Sequence, residues 1–169
     1  MNALTIVSNE YPYEINGAAH VRRQADFVID GVGLGTRLAF EPNRPWIGET
    51  CFELQPGAFE SEVDSLRGLR ATWNQFGTGR FALYRCHCGC DYCGIFSCVI
   101  VRTETTVTWT DVRYEDGVIE ESESEGPDEE HPYPHKIDTF SFDVTEYDSA
   151  IQQFMAENGR SSNATRPPA

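Results

Sequence analysis

The sequence is poor in basic residues. Its 169 residues hold 13 lysines and arginines against 27 aspartates and glutamates, which gives a formal net charge of −14 at pH 7. Binding to nucleic acid or to an anionic membrane needs clustered Lys and Arg side chains that contact phosphates. We therefore expect neither as a partner. An acidic protein can instead attract basic partners, or its charge can simply keep it soluble.

The sequence also lacks long apolar runs and a secretory leader. No stretch approaches the ~20 apolar residues that span a bilayer. The start, residues 1–7, has neither a basic region nor a long apolar core. These absences predict a cytoplasmic protein. In a reducing compartment, clustered cysteines are more often metal ligands or redox centres than structural disulfides.

Signatures of common enzyme classes are missing as well. The sequence has no H-E-x-x-H and no G-x-S-x-G, and its four histidines are scattered at positions 20, 87, 131 and 135. The glycine-rich run 31–35 lacks the spacing of a phosphate-binding loop, so it predicts a turn. We expect no catalytic residue and no organic cofactor, and we favour a non-enzymatic protein over an enzyme.

The length fits one domain with its own core. Stretches rich in β-branched and aromatic residues predict strands over 4–7, 26–30, 81–84, 95–101 and 105–114, and around Phe140. Three of these stretches, between residues 81 and 114, follow one another closely. This closeness predicts an antiparallel meander with the cysteines at its first turn.

Two helices are predicted from apolar residues that recur at steps of three and four. The first has a capping box at 61–64 and ends at Gly77. Its apolar face comprises Phe59, Val63, Leu66, Leu69, Trp73 and Phe76. The second has a capping box at 145–148 and ends at Gly159. Its apolar face comprises Tyr147, Ala150, Ile151, Phe154 and Met155. We therefore predict a single α+β domain over residues 1–159: an antiparallel β-sheet, two flanking helices and a cysteine-rich hairpin turn.

An acidic tract occupies residues 115–130, with nine acidic residues and no basic one. Its composition predicts a mobile acidic loop over 115–136. The polar residues 160–169 predict a disordered tail. The charge of the tract makes a basic protein the expected partner, and an immunity or inhibitor protein for a basic toxin is one specific version. The alternative is that the tract only keeps the protein soluble.

Five of the six cysteines lie within 13 residues, from Cys86 to Cys98. Cys86 and Cys88 are spaced C-x-C, which in an extended segment places both side chains on one side. A C-x-x-C-G motif follows at 90–94. Its glycine, like Gly89, allows the backbone to turn tightly. Thiolates in such number around a turn indicate a tetrahedral zinc site.

We predict four zinc ligands: Cys86, Cys88, Cys90 and Cys93. Without Cys90, the set has the spacing C-x-C-x4-C. This resembles, in spacing alone, the zinc-binding cysteine tail that follows some histone methyltransferase domains, where a fourth ligand comes from elsewhere. The fourth ligand is therefore open among Cys90, which proximity favours, Cys98 and the distant Cys51. His87 points to the opposite side if the segment is extended, which disfavours it as a ligand.

Other chemistry for the cluster is less well supported. The spacing fits none of the usual iron–sulfur runs. A redox dithiol of Cys90 and Cys93 is an alternative, but its C-x-x-C lies in a predicted hairpin turn, whereas thioredoxin-like motifs begin a helix in a βαβ unit. An enzyme would need zinc held by only three cysteines, which leaves a position for an activated water. A closed set of four thiolates is instead typical of a structural site.

Residues 83–94 resemble a motif of uncharacterised bacterial proteins, in which a strand runs into C-x-C-G, an acidic residue, two further residues and C-G. The likeness extends through 107–111, 114–115 and 140–143 to Tyr147, with weaker similarity around 27–31 and Leu34. It thus covers roughly the second half of the chain. Where that family usually has Asp or Glu, this chain has Cys90, and both groups can bind zinc. The family has no established function, so the resemblance bears on the fold and the site alone.

Overall fold

The structure, a computed structural model, describes residues 1–38, 47–86, 88–115 and 136–159. His87, the predicted tail 160–169 and nearly all of the predicted acidic loop lie outside the described residues. Of that loop, Glu115 ends a strand and Lys136 precedes another. The single-domain boundary at residue 159 stays a prediction. In the described ranges, no helix has the length and apolar character needed to cross a membrane.

The chain begins with a long β-hairpin. Strands β1 (Leu4–Ile15) and β2 (Ala18–Ile29) pair antiparallel over their whole length. Asn16 and Gly17 join them, with φ angles of 51° and 79°, the combination that a two-residue type I′ turn requires. A short β3 (Val32–Gly33) completes this three-stranded sheet in the order β1-β2-β3. The predicted strands 4–7 and 26–30 cover the start of β1 and the end of β2, which pair with each other at the open end of this hairpin.

A second antiparallel sheet contains five strands in the order β4-β5-β6-β7-β8. They are β4 (Ile47–Glu49), β5 (Phe81–Cys86), β6 (Ile95–Arg102), β7 (Thr106–Glu115) and β8 (Ile137–Asp143). Neighbours in sequence are neighbours in the sheet, which confirms the predicted meander. The predicted α+β class is confirmed, with the strands divided between two sheets rather than joined in one.

Three helices complete the fold in the described part of the chain: a single turn α1 (Leu34–Arg37), α2 (Ala58–Leu66) and α3 (Val144–Glu157). The N-terminal cap of α3 differs from the predicted one. The carboxylate of Asp143, rather than the side chain of Thr145, accepts the N–H groups of Thr145 and Glu146 at 2.9 and 3.2 Å. Four of the five predicted apolar residues of α3 are buried: Tyr147, Ile151, Phe154 and Met155.

Helix α2 is shorter than predicted at its C-terminal end. Gly68 has a φ of 69°, and a Cβ there would lie 2.9 Å from the Cβ of Arg102, so only glycine fits as the helix ends. The predicted capping box is also misplaced, because the Glu60 carboxylate accepts the Gly57 N–H at 2.9 Å. Leu69 and Trp73, predicted on the buried face, lie beyond the helix and are 53% and 65% exposed.

The core between the two sheets centres on Trp109 of β7, which is fully buried. Its ring meets those of Phe27 and Phe142 edge-on, with centroids 5.3 Å away in both cases. Its indole N–H donates to the Tyr147 hydroxyl at 3.0 Å, and that hydroxyl donates to the Leu66 carbonyl at 2.8 Å. Trp109 therefore joins the first sheet, the second sheet and α3. The β5–β6 turn lies at the surface, where Cys88 and Cys93 are exposed.

Candidate metal centre

Residues 86–94, the cysteine loop, connect β5 to β6. Backbone hydrogen bonds shape it: the Gly89 N–H donates to the Cys86 carbonyl at 2.9 Å, and the Gly94 N–H donates to the Asp91 carbonyl at 2.8 Å. Residues Asp91–Cys93 form one turn of 3₁₀ helix. The strands on either side pair antiparallel, with Arg85 opposite Ile95. The predicted hairpin with the cysteines at its turn is confirmed.

Gly94 fits the loop because no side chain could replace its hydrogen. Its φ is 102°, and a Cβ built on it would lie 2.0 Å from the Tyr114 hydroxyl oxygen. Gly89 has a φ of 72°, and a Cβ built on it would meet no other atom. Glycine is therefore favoured at this position by its backbone conformation alone. The positive φ values of these two glycines allow tight bends of the backbone before and after the 3₁₀ turn 91–93.

The loop brings three thiols together. The sulfurs of Cys86, Cys88 and Cys93 all lie within 4.8 Å of one another. The Cys88 Sγ is 3.3 Å from the Cys86 Sγ and 3.6 Å from the Cys93 Sγ. Thiolates at ~2.3 Å from a tetrahedral zinc are about 3.8 Å apart. The spacing therefore suits three ligands of one metal ion, and it is well beyond the ~2.05 Å of a disulfide bond.

Burial and hydrogen bonding give the three thiols different acidities. Cys86 is buried at the end of β5, and burial raises the pKa of its thiol. Cys88 is exposed, and its hydrogen bond with Cys86 lowers its pKa. The hydrogen bond with Cys88 raises the pKa of the exposed Cys93 to about 12. A metal ion held by these three sulfurs as thiolates would have to displace their protons.

The structure brings together three of the four predicted ligands. Cys90 is half-buried and precedes the 3₁₀ turn, and its sulfur is not a member of the group within 4.8 Å. Cys90 as the fourth ligand stays a prediction. The other two candidates, Cys98 and Cys51, are buried in the core cluster, and burial raises the pKa of both thiols. Neither sulfur is a member of the group within 4.8 Å, so the structure favours neither as the fourth ligand.

Gln75, in the segment between α2 and β5, makes several hydrogen bonds with the cysteine loop. Its backbone N–H donates to Asp91 Oδ2 at 2.8 Å, and its side-chain Oε1 accepts the Asp91 N–H at 3.1 Å. Its Nε2 donates to the Gly89 carbonyl at 3.0 Å, and its own carbonyl accepts the Tyr92 hydroxyl at 3.4 Å. Sequence reasoning did not identify Gln75, because no motif or spacing marks a single glutamine in a loop.

A charged group supports the loop from the protein side. Asp91 is 1% exposed, and the Arg85 guanidinium of β5 lies 3.8 Å from its carboxylate and 3.7 Å from that of Glu62 on α2. Burial raises the pKa of Glu62. One arginine thus faces two carboxylates from separate elements, and this links the cysteine loop to α2.

In comparison with known proteins, no family model, no curated protein and no solved structure matches this chain.

Proposed function

We propose that this chain is a zinc-binding protein of non-enzymatic, protein-interaction type. The observation that carries the proposal is the convergence of the Cys86, Cys88 and Cys93 sulfurs within 4.8 Å at a hairpin turn. Thiolates are soft ligands that favour zinc, copper(I) and iron–sulfur clusters over calcium or magnesium. Among these, a tetrahedral thiolate site on a short turn is most typical of zinc.

The role that we propose for zinc is structural. Cys88 and Cys93 are exposed, and Gly89 and Gly94 carry no side chain, so the loop has little apolar surface to pack against the core. Metal ligation would supply the stability that packing does not. Cys90 is the favoured fourth ligand, because it lies between Cys88 and Cys93 in the same loop. Four thiolates would close the coordination sphere, as in sites that stabilise a fold.

The partner that we propose is a basic protein. The support is the net charge of −14 and the nine acidic residues of 115–130. Opposite charge accelerates association and makes it sensitive to salt. An immunity or inhibitor protein that masks a basic toxin or nuclease, in the cytoplasm, is the specific version of this proposal.

The basic-partner hypothesis has a direct test. The acidic residues between 116 and 130 are replaced by Asn and Gln, and Glu115 is retained because it belongs to β7. Both proteins are used as bait for cell extract at low and high salt. Basic proteins retained at low salt by the native chain alone would support the proposal. Identical retention by the two baits would refute the electrostatic version.

An enzymatic alternative rests on the exposure of two of the three clustered thiols, Cys88 and Cys93. If the fourth position of zinc faced solvent, a bound water could become a nucleophile. A Cys90→Ser variant separates the structural site from the enzymatic one. A structural site of four cysteines would lose zinc affinity in this variant, whereas a three-cysteine site with bound water would keep it.

A redox role for Cys90 and Cys93 is the remaining alternative. The sulfur that lies close to Cys93 belongs to Cys88, at 3.6 Å, rather than to Cys90. Treatment of the metal-loaded protein with oxidant, followed by mass spectrometry, tests this role. A Cys90–Cys93 disulfide that forms while the metal stays bound would favour it, and free thiols at both positions would exclude it.

A further inference from the structure

We infer that Gln75 is a positioning residue for the metal site, and that zinc binding is coupled through it to the segment 72–80. The inference rests on the proposed zinc site.

The segment that contains Gln75 is stabilised by hydrogen bonds of its own. Asn74 is fully buried, and its Nδ2 donates to Thr78 Oγ1 at 2.7 Å and to the Arg80 carbonyl at 3.1 Å. Its Oδ1 accepts the Thr78 N–H at 3.2 Å. The turn 74–80 is therefore closed by one asparagine and anchored next to β5. Gln75 projects from this fixed base, so its hydrogen bonds define a position for the loop that they contact.

The contacts of Gln75 fall on both sides of Cys90. Its Nε2 reaches the carbonyl of Gly89, and its Oε1 and N–H engage the backbone and carboxylate of Asp91. Gly89 adjoins Cys88, and Asp91 begins the 3₁₀ turn that ends at Cys93. Fixing these two backbone positions restricts the directions in which the sulfurs of Cys88 and Cys93 can point. Hydrogen bonds behind metal ligands commonly contribute to affinity by orienting the ligands in this way.

The coupling works in both directions. If the Gln75 contacts strengthen zinc binding, zinc binding must strengthen the Gln75 contacts by the same factor. The Phe76 ring meets the Tyr92 ring edge-on at 5.2 Å, which gives a second contact between the segment and the loop. Trp73, 65% exposed, lies two residues before Gln75. Zinc loss would therefore loosen a segment that presents an exposed aromatic side chain.

Gln75→Met tests the inference, because methionine keeps the length of the side chain and removes its amide. Gln153→Met is the matched control: Gln153 lies on the exposed face of α3, where its amide donates to Glu157 at 2.8 Å. Zinc dissociation constants are measured by competition with a chromogenic chelator, and folding is checked by circular dichroism without metal. We expect Gln75→Met to bind zinc about 10- to 100-fold more weakly than the native chain, and Gln153→Met to match the native chain.

Hydrogen exchange on the native chain gives a second readout. It needs no variant, so misfolding of a variant cannot affect it. The backbone amides of Gln75 and Asp91, which donate within the contact, should exchange more slowly once zinc is bound. The amides of β1 and β2, far along the chain from the loop, should not change. Equal exchange at Gln75 and Asp91 with and without zinc would overturn the coupling.

The outcomes separate this inference from the proposed function. A native chain that binds no zinc overturns both. A native chain and a Gln75→Met variant that bind zinc equally overturn the inference alone, and the Gln75 contacts are then purely structural. A Gln75→Met variant that is less stable without metal but binds zinc with native affinity also overturns the inference alone.

Discussion

The Sγ of Cys88 lies 3.6 Å from the Sγ of Cys93, although five positions separate the two residues in the chain. Two backbone reversals in the cysteine loop produce this approach, at Gly89 and through the 3₁₀ turn 91–93. Both thiols are exposed, whereas Cys86, the third member of the group, is buried at the end of β5. The group of three thiols is thus attached to the second sheet through Cys86 and reaches the surface at Cys88 and Cys93.

Replacing Cys88 by serine should abolish stoichiometric zinc binding. Cys88 is the central sulfur of the three, 3.3 Å from Cys86, and a hydroxyl is a poor substitute for a thiolate at zinc. Metal content after dialysis measures the loss. Cys98→Ala is the control, since Cys98 is buried among core residues and its variant should keep the metal. Retention of zinc by Cys88→Ser, or its loss from a folded Cys98→Ala, would contradict the assignment.

Gly94→Ala should destabilise the protein more than Gly89→Ala. Both positions have positive φ, and the left-handed conformation costs an L-residue about 1–2 kcal/mol. Of the two, Gly94 is the position where the new methyl group overlaps another atom, the Tyr114 hydroxyl, which adds about 1–3 kcal/mol for overpacking. Chemical denaturation in the presence of chelator measures both variants. Equal free energies of unfolding would show that Tyr114 moves aside without cost.

Asp148 should contribute stability that is lost in acid. Burial alone would raise the pKa of this carboxyl, but hydrogen bonds from Arg102 at 2.7 Å and Arg67 at 3.1 Å outweigh burial and hold it below its ordinary value of 3.8. A lowered folded-state pKa stabilises the fold above about pH 4, and this stabilisation disappears as the pH falls through the folded-state pKa.

Asp148→Asn should therefore lower the free energy of unfolding at pH 7 by about 1–3 kcal/mol. The difference from the native chain should shrink as the pH is lowered from about 5 towards about 2. Asp138→Asn, at an exposed position of β8, serves as the control and should change little at either pH. A difference that stays constant across this pH range would mean that the Arg102 and Arg67 contacts do not depend on the charge of Asp148.

Much of the candidate metal centre could be predicted from the sequence, because its three clustered thiols are close in the chain as well as in space. The C-x-C spacing identified Cys86 and Cys88, and the second motif identified Cys93. Spacing did not decide whether Cys90 is a ligand, since the direction of its side chain depends on the backbone conformation at the start of the 3₁₀ turn. No sequence pattern pointed to Gln75, because its contacts are with loop residues that lie 14 to 17 positions further along the chain.

The errors in the fold have similar long-range causes. The steps of three and four continue through Leu69 and Trp73, yet the helix ends at Leu66, because Gly68 approaches Arg102 of a distant strand. The full length of the β1–β2 hairpin was missed although Asn16-Gly17 is a strong turn signal. Polar residues along both strands hid the alternation that would have revealed it. The division into two sheets depends on pairings between strands that no local pattern records.

The measurement that tests the central claim most directly is the metal content of the purified protein by inductively coupled plasma mass spectrometry, with free thiols counted after denaturation in chelator. A thiolate zinc site predicts about one zinc per chain and free thiols at all six cysteines. Absence of metal, together with a disulfide among Cys86, Cys88, Cys90 and Cys93, would contradict the zinc site and make the dithiol chemistry of this loop its primary function.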